Sequence, residues 1–433
     1  MKATGISRRQ FIRRSAIGAA AVGAVGSTLS RPANARILGA NDRINLGIIG
    51  VGGRGSAILG EMLALKETGT FNIEVVAVCD VYERRLQAAA RRCKGKAYGD
   101  YKELLAHPDL DAVAIATPDH WHARMSMDAM NAGKDIYCEK PMTLYWEEAK
   151  EVARVARETK RITQIGVQTA SDPRFRRAHE VIAAGGIGKL IWSQTGSFRN
   201  DRSGDWNWPM DKNAGPDKTG PDRVDWKNWL GSAPEHSWEP ERFFRFRKFW
   251  DYSGGQATDL LYHALGHHEV ALGFEFPKRV VASGGNYIFD LKNDNREVPD
   301  TFFVLIDYPT NHTVALVSTQ VNQTRVPEVI RGQKATMTFS SERDGAERKS
   351  TLIVTPEEPF KDEVREQTVS FDSQPKGAYP HMRNFLDCVR SRQECNLNAQ
   401  AGYRVMVPIG LSVRAYRENK VMLFDPEKEQ LIG

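Results

Sequence analysis

Cysteine is scarce in this 433-residue sequence: there are five, an odd number that excludes a fully paired disulfide framework. Cys79 and Cys138 fall in apolar runs and read as small buried residues. Cys388 and Cys395 are a candidate pair in an oxidising compartment, and Cys93 stands apart. No stretch is apolar for long enough to form a stable membrane span. Internal repeats and low-complexity tracts are absent, which excludes a solenoid. Acidic residues are missing before Arg36, where six basic ones lie, and that segment accounts for the whole formal charge of +6. The remainder is balanced, so the charge is no argument for nucleic acid. What is present is 41% hydrophobic and 26% charged, an ordinary globular composition long enough for two or three domains.

The basic segment has internal order. Ser7-Arg8-Arg9-Gln10-Phe11-Ile12-Arg13 looks like a twin-arginine export signal. Ala16 to Leu29 is a mildly apolar run, and Ala33-Asn34-Ala35 fits a small-x-small cleavage site. Residues 1–35 are therefore expected to be a signal peptide, residues 36–43 a short arm, and the mature chain periplasmic or secreted.

Ile44 to Ile49 is an apolar run that breaks into Gly50-Val51-Gly52-Gly53-Arg54-Gly55, and a helix-compatible segment follows. Strand, glycine turn and helix in this order form a dinucleotide fingerprint, with the phosphates placed on the helix N-terminus. Ile73 to Cys79 is a second strand ending at Asp80, an acid placed to bind ribose hydroxyls and to favour NAD over NADP. Arg84 and Arg85 nearby keep NADP open. Asp111 to Ala116 and Asp135 to Cys138 are further strands, followed by Thr117-Pro118 and Glu139-Lys140. Strands alternating with helices predict a parallel doubly wound sheet over 44–165, whose ligands gather at the carboxyl ends of the strands.

Beyond residue 166 the pattern changes to short alternating strands divided by turn signals, at 190–198, 280–283, 301–308, 313–320, 328–331, 335–339 and 352–355. Between Asn200 and Asp251 lie six of the nine tryptophans, interleaved with Arg, Asp and Pro. The stretch reads either as a lid whose rings stack on sugar faces or as packed aromatic core. Asp259, His263 and His267 then recur at four-residue spacing, which predicts one helical face. A metal site is disfavoured, because Ala264 stands where a zinc protease carries glutamate.

Gly50-x-Gly52-x-x-Gly55, Thr117-Pro118-x-x-x-His122, Glu139-Lys140-Pro141 and Asp259-x-x-x-His263 together resemble the Gfo/Idh/MocA oxidoreductases. The resemblance implies an N-terminal Rossmann domain and a C-terminal α/β domain (166–433) with a large, mostly antiparallel sheet. It further implies a cis peptide at Pro141, a Lys140-Asp259-His263 catalytic set, and a carbohydrate or polyol substrate. Asp119 departs from the family, where asparagine is common. The cofactor is expected to meet Gly50, Gly52, Gly53, Arg54, Gly55, Asp80, Thr117, Pro118, His120, His122, Glu139, Lys140 and Gln168. The substrate is expected to meet Trp121, Arg199 and Tyr252. Histidine suits a general base near neutrality, and a lysine cation suits a developing alkoxide. His263 is assigned as base, Lys140 as anchor and Asp259 as orienter, with the His263 and Asp259 roles exchangeable.

An exported nicotinamide enzyme meets no free NAD pool, so a tightly bound, recycled cofactor is expected. The reading is an NAD(P)-dependent sugar or polyol oxidoreductase. A redox-neutral NAD-dependent glycosidase or lyase of the same superfamily is the alternative. A homo-oligomer through the open face of the second sheet is also expected.

Overall fold

A computed structural model describes residues 43–290, 292, 294–344, 347–372, 377 and 379–432, with no side chains for 341–349. The twin-arginine stretch, its cleavage site and residues 36–42 of the arm lie outside the described residues. Six strands, β1 (Ile44–Ile49), β2 (Ile73–Cys79), β3 (Lys96–Tyr98), β4 (Ala112–Ile115), β5 (Asp135–Glu139) and β6 (Thr163–Gly166), form a parallel sheet in the order β3-β2-β1-β4-β5-β6. β1 is buried along its whole length, as a central strand covered by helices on both faces must be. β3 is a three-residue edge strand that the sequence pattern did not separate from the helix after it. The strand order reverses between β1 and β4, and such a switch point opens a crevice for ligand.

The second sheet has ten strands: β7 (Leu190–Phe198), β8 (Arg279–Gly285), β9 (Thr301–Asp307), β10 (Thr313–Thr319), β11 (Val329–Gly332), β12 (Ala335–Asp344), β13 (Glu347–Pro356), β14 (Gln367–Phe371), β15 (Met422–Asp425) and β16 (Gln430–Leu431). Their order is β14-β13-β12-β11-β7-β10-β9-β8-β15-β16. All pairs are antiparallel except β7 with β10. β9 alternates cleanly: Phe302, Val304 and Ile306 face the core while Phe303 and Leu305 face outward. One core runs through both sheets, joining Ile136, Cys138 and Ile165 to Tyr262, Phe302 and Leu316. The Pro380–Ser391 helix returns to the first sheet, where Phe385 and Leu386 pack with Ile44 and Leu46.

The 200–251 stretch contains no strand but is ordered by an aromatic cluster of its own. Trp226 and Trp229 stack at 4.7 Å between centroids, and Trp238 and Phe243 close around them. The stretch is fastened to the end of β2 by main-chain bonds. Tyr82 bridges Val224, the Glu83 N–H donates to Arg223 at 3.0 Å, and the Asp225 N–H donates to Val81 at 2.8 Å. Trp226 is thus core alone, while Trp206, Trp208 and Trp229 border the ligand cavity.

Candidate active site

A cavity of about 1040 Å³ lies along the carboxyl ends of the first sheet, between it and the 200–251 stretch. Its nucleotide half is built from backbone. Gly50 adopts φ +81°, and a Cβ on Gly55 would stand 1.8 Å from the Gly50 carbonyl oxygen, so neither position admits a side chain without rearrangement. The Gly53–Glu67 helix starts within this turn, leaving its first amide donors free of intrahelical partners. A Cβ on Gly53 would meet nothing within 4 Å. Open space at the amino end of a helix, lined by glycine, is a cradle that fits a pyrophosphate.

Asp80, at the end of β2, is buried and lines the same cavity. Its Oδ2 accepts the Val51 N–H at 2.8 Å and its Oδ1 the Tyr82 N–H at 2.9 Å, so the carboxylate also braces the glycine turn. Burial raises its pKa against the opposing pull of Arg85. Arg84 is turned away to Asp211 and Asp222. Arg85 stays at the cavity wall, between 5.3 and 5.4 Å from the Tyr82, Phe243 and Phe244 ring centroids.

The reactive half is built from side chains that are far apart in sequence. Lys140 follows β5 directly, and the Lys140–Pro141 peptide is cis. Its Nζ donates to Asp259 Oδ1 at 2.5 Å and to the Asp259 carbonyl at 2.7 Å. Arg247 Nε donates to the same Oδ1 at 2.7 Å, and Trp206 Nε1 to Oδ2 at 3.1 Å. Burial alone would raise the Asp259 carboxyl, but Arg247 and Lys140 together hold it well below the usual carboxylate range. Asp259 is therefore ionised and engaged on both oxygens. His263 also lines the cavity. Burial, and then the Lys140 cation, push its imidazole well below its usual value, so it is neutral at physiological pH and able to accept a proton.

The expected helical face is interrupted. Residues Ala257–Leu261 form a π-turn before the Tyr262–Leu272 helix, so Asp259 and His263 are not related by ordinary α-helical spacing. His267 leaves the cavity for Thr169 and Glu328, at 2.9 and 2.8 Å. Among the described residues no group of three or more His, Cys, Asp or Glu is placed to hold a metal ion.

Gly50, Gly52, Gly53, Arg54, Asp80, Thr117, Pro118, Glu139, Lys140 and Gln168 all border the cavity, as do Trp121 and Arg199. Gly55 sits behind the turn as a packing position. Arg54 bonds Glu139 Oε1 at 2.7 Å, and Gln168 reaches the same oxygen at 3.1 Å, which ties the helix start to β5. Three of the expected contacts lie behind the cavity wall. His120, His122 and Tyr252 are buried and do not border the cavity. His120 is held at the Trp229 carbonyl at 3.0 Å, and burial lowers its pKa to about 4. His122 lies 2.6 Å from the Pro141 carbonyl and 2.9 Å from the Thr117 carbonyl. Two carbonyl partners require two N–H donors, so the ring is an imidazolium that clips the two strand-end loops together. Burial opposes that charge, but Cys138, Asp119 and the Pro141 carbonyl outweigh it and push the ring up to about 9. Tyr252 packs against Trp229 and His120 in the aromatic cluster.

Two residues were missed. Arg247 and Trp206 both grip Asp259 from the tryptophan-rich stretch. No spacing rule ties either to Asp259. The one usable signal was the interleaving of arginines with aromatics.

Residues 44–167 match the Gfo/Idh/MocA model described as an oxidoreductase family with an NAD-binding Rossmann fold, and 181–280 with 355–433 match that family's C-terminal α/β domain. Inositol 2-dehydrogenase of Salmonella typhimurium (strain LT2) is 34% identical over 151 residues, 34% of this chain and 44% of that protein. The scyllo-inositol 2-dehydrogenase (NAD(+)) of Bacillus subtilis (strain 168) is 38% identical over 120 residues, 28% of this chain and 35% of that protein. The match thus spans less than half the length of these curated relatives. A levoglucosan dehydrogenase in complex with NADH and levoglucosan shares the fold, with a TM-score of 0.65 at 18% identity over 88% of this chain and 99% of that one. An aldose–aldose oxidoreductase from Caulobacter crescentus, complexed with glycerol, gives a TM-score of 0.64 at 17% identity over 88% and 100%. With both of its halves matched, the chain belongs to the Gfo/Idh/MocA oxidoreductase family.

Proposed function

We propose that the protein is an NAD(P)-dependent oxidoreductase that oxidises a carbinol of a sugar or polyol. The observation that carries this is the meeting of Lys140, ionised Asp259 and neutral His263 at one end of a cavity whose other end is the glycine cradle. A bound nicotinamide dinucleotide supplies the hydride acceptor. His263 takes the hydroxyl proton, and Lys140 stabilises the charge that develops on oxygen. Asp259 fixes Lys140 in place. Relatives named for oxidation of inositol, xylose and levoglucosan support this substrate class.

Export of the folded, cofactor-loaded chain by a twin-arginine route is part of the proposal, and so is retention of the cofactor between turnovers. The support for retention is the main-chain fastening of 200–251 onto Val81 and Tyr82, beside Asp80. A homo-oligomer is proposed through the outer face of the second sheet, where Trp192, Phe303, Leu305 and Leu423 stand exposed.

The test is to add a panel of sugars and polyols to the purified protein loaded with NAD+ and follow the absorbance of the reduced nicotinamide. Sugar-dependent reduction of the bound cofactor, lost in Lys140→Ala, is the expected result; reduction of NAD+ added in excess would overturn retention. Release of free aglycone from a glycoside without net reduction would instead identify the redox-neutral glycosidase.

A further inference from the structure

Arg247 enters the cavity from the 200–251 stretch, and its hydrogen-bonding capacity is not used up there. Among the described residues only its Nε is hydrogen-bonded, to Asp259 at 2.7 Å, which leaves both terminal nitrogens without a protein partner. The guanidinium is held in position. Asp259 pins one edge, and the Phe246 and Trp208 ring centroids lie 4.5 and 5.9 Å from its central carbon. Both rings border the cavity. A fixed planar fork with free N–H groups matches a carboxylate, which it holds bidentately, better than a lone hydroxyl.

Lys140 and Arg247 share the Asp259 carboxylate at hydrogen-bond distance. Asp119 and Glu139 attract Arg247 from farther away, and neither is hydrogen-bonded to its terminal nitrogens.

We infer that Arg247 recognises a carboxylate on the substrate, so the preferred substrates are sugar acids such as uronates rather than neutral sugars. This rests on the dehydrogenase reading above and narrows its substrate class.

The test uses the full chain with NAD+ and matched pairs, D-glucuronate with D-glucose and D-galacturonate with D-galactose, plus D-glucose 6-phosphate. In the unmodified protein the acid should exceed its neutral partner in kcat/KM by at least about tenfold, mostly through KM. Arg247→Gln should raise KM for the acid more than for the neutral sugar and close that gap, and Arg247→Lys should restore part of it. Equal kcat/KM within the pairs, or a preference for the phosphate, overturns the inference without any variant having to fold. An Arg247→Gln change that lowers kcat equally for both members also overturns it, since the residue would then act only through Asp259. If no sugar reduces NAD+ but uronates alone raise the melting temperature, and Arg247→Gln removes the shift, the dehydrogenase reading fails and the carboxylate site stands. Neither reduction nor a shift overturns both.

Discussion

The two ends of the cavity are made of different material. The nucleotide end is main chain: a turn set by Gly50 and Gly55, a helix start, and an aspartate whose oxygens are occupied by backbone N–H groups. The reactive end is side chain, with one carboxylate gripped by Lys140 from the end of β5 and by Arg247 and Trp206 from the insertion. The first kind of site is written in a short local sequence and fails by steric exclusion. The second is written in charge balance across the fold and fails when one partner is removed.

That contrast can be broken from either side. The largest effect is expected for Gly55→Ala, whose new Cβ would fall 1.8 Å from the Gly50 carbonyl oxygen. A loss of more than about 3 kcal/mol in denaturant melts, with nucleotide binding gone, is the expected outcome. Next is Lys248→Ala. Lys248 is buried between Glu241 at 2.7 Å and Asp294 at 2.8 Å, and its removal leaves these carboxylates to Arg245 and Arg296 alone. This should cost ~1.5–3 kcal/mol in the same melts. If it instead melts like the unmodified protein, the insertion is not held by charge. Lys140→Ala should lower kcat by ~10²–10³ while leaving nucleotide affinity, read by fluorescence titration, within a few-fold.

The smaller effects sharpen the contrast. Because the His263 imidazole is pushed down from its ordinary 6.5, its neutral, base-competent form persists as pH falls. The acid limb of kcat/KM should therefore lie below pH 6.5, with the rate at pH 6 within about twofold of that at pH 7.5. A limb centred near 7 would mean that another group limits the reaction. The smallest change in stability is expected for Gly53→Ala, where nothing lies within 4 Å of the new Cβ. Melting should shift by less than about 0.5 kcal/mol, while nucleotide binding weakens because the methyl group fills the cradle.

The same division explains what could be read in advance. The glycine turn and the individual strands announce themselves by local pattern, because alternation and turn residues are set within a few positions. Lys140, Asp259 and His263 were legible through their motifs. Arg247 and Trp206 were not, since what places them is the path of the insertion. His120 and His122 show the opposite case. They lie in a motif beside the cavity, yet their rings turn inward to the carbonyls of Trp229, Pro141 and Thr117. The π-turn at Ala257–Leu261 also left no trace in spacing, because its five residues are as apolar and helix-compatible as their neighbours.

The joint between Val81–Glu83 and Arg223–Asp225 is formed by main-chain donors and acceptors. Such a joint does not depend on which side chains flank it. The insertion is therefore free to change its aromatic and charged residues over evolutionary time, or at a designer's bench, while still landing on the same strand end. The insertion is a replaceable part seated on a permanent socket.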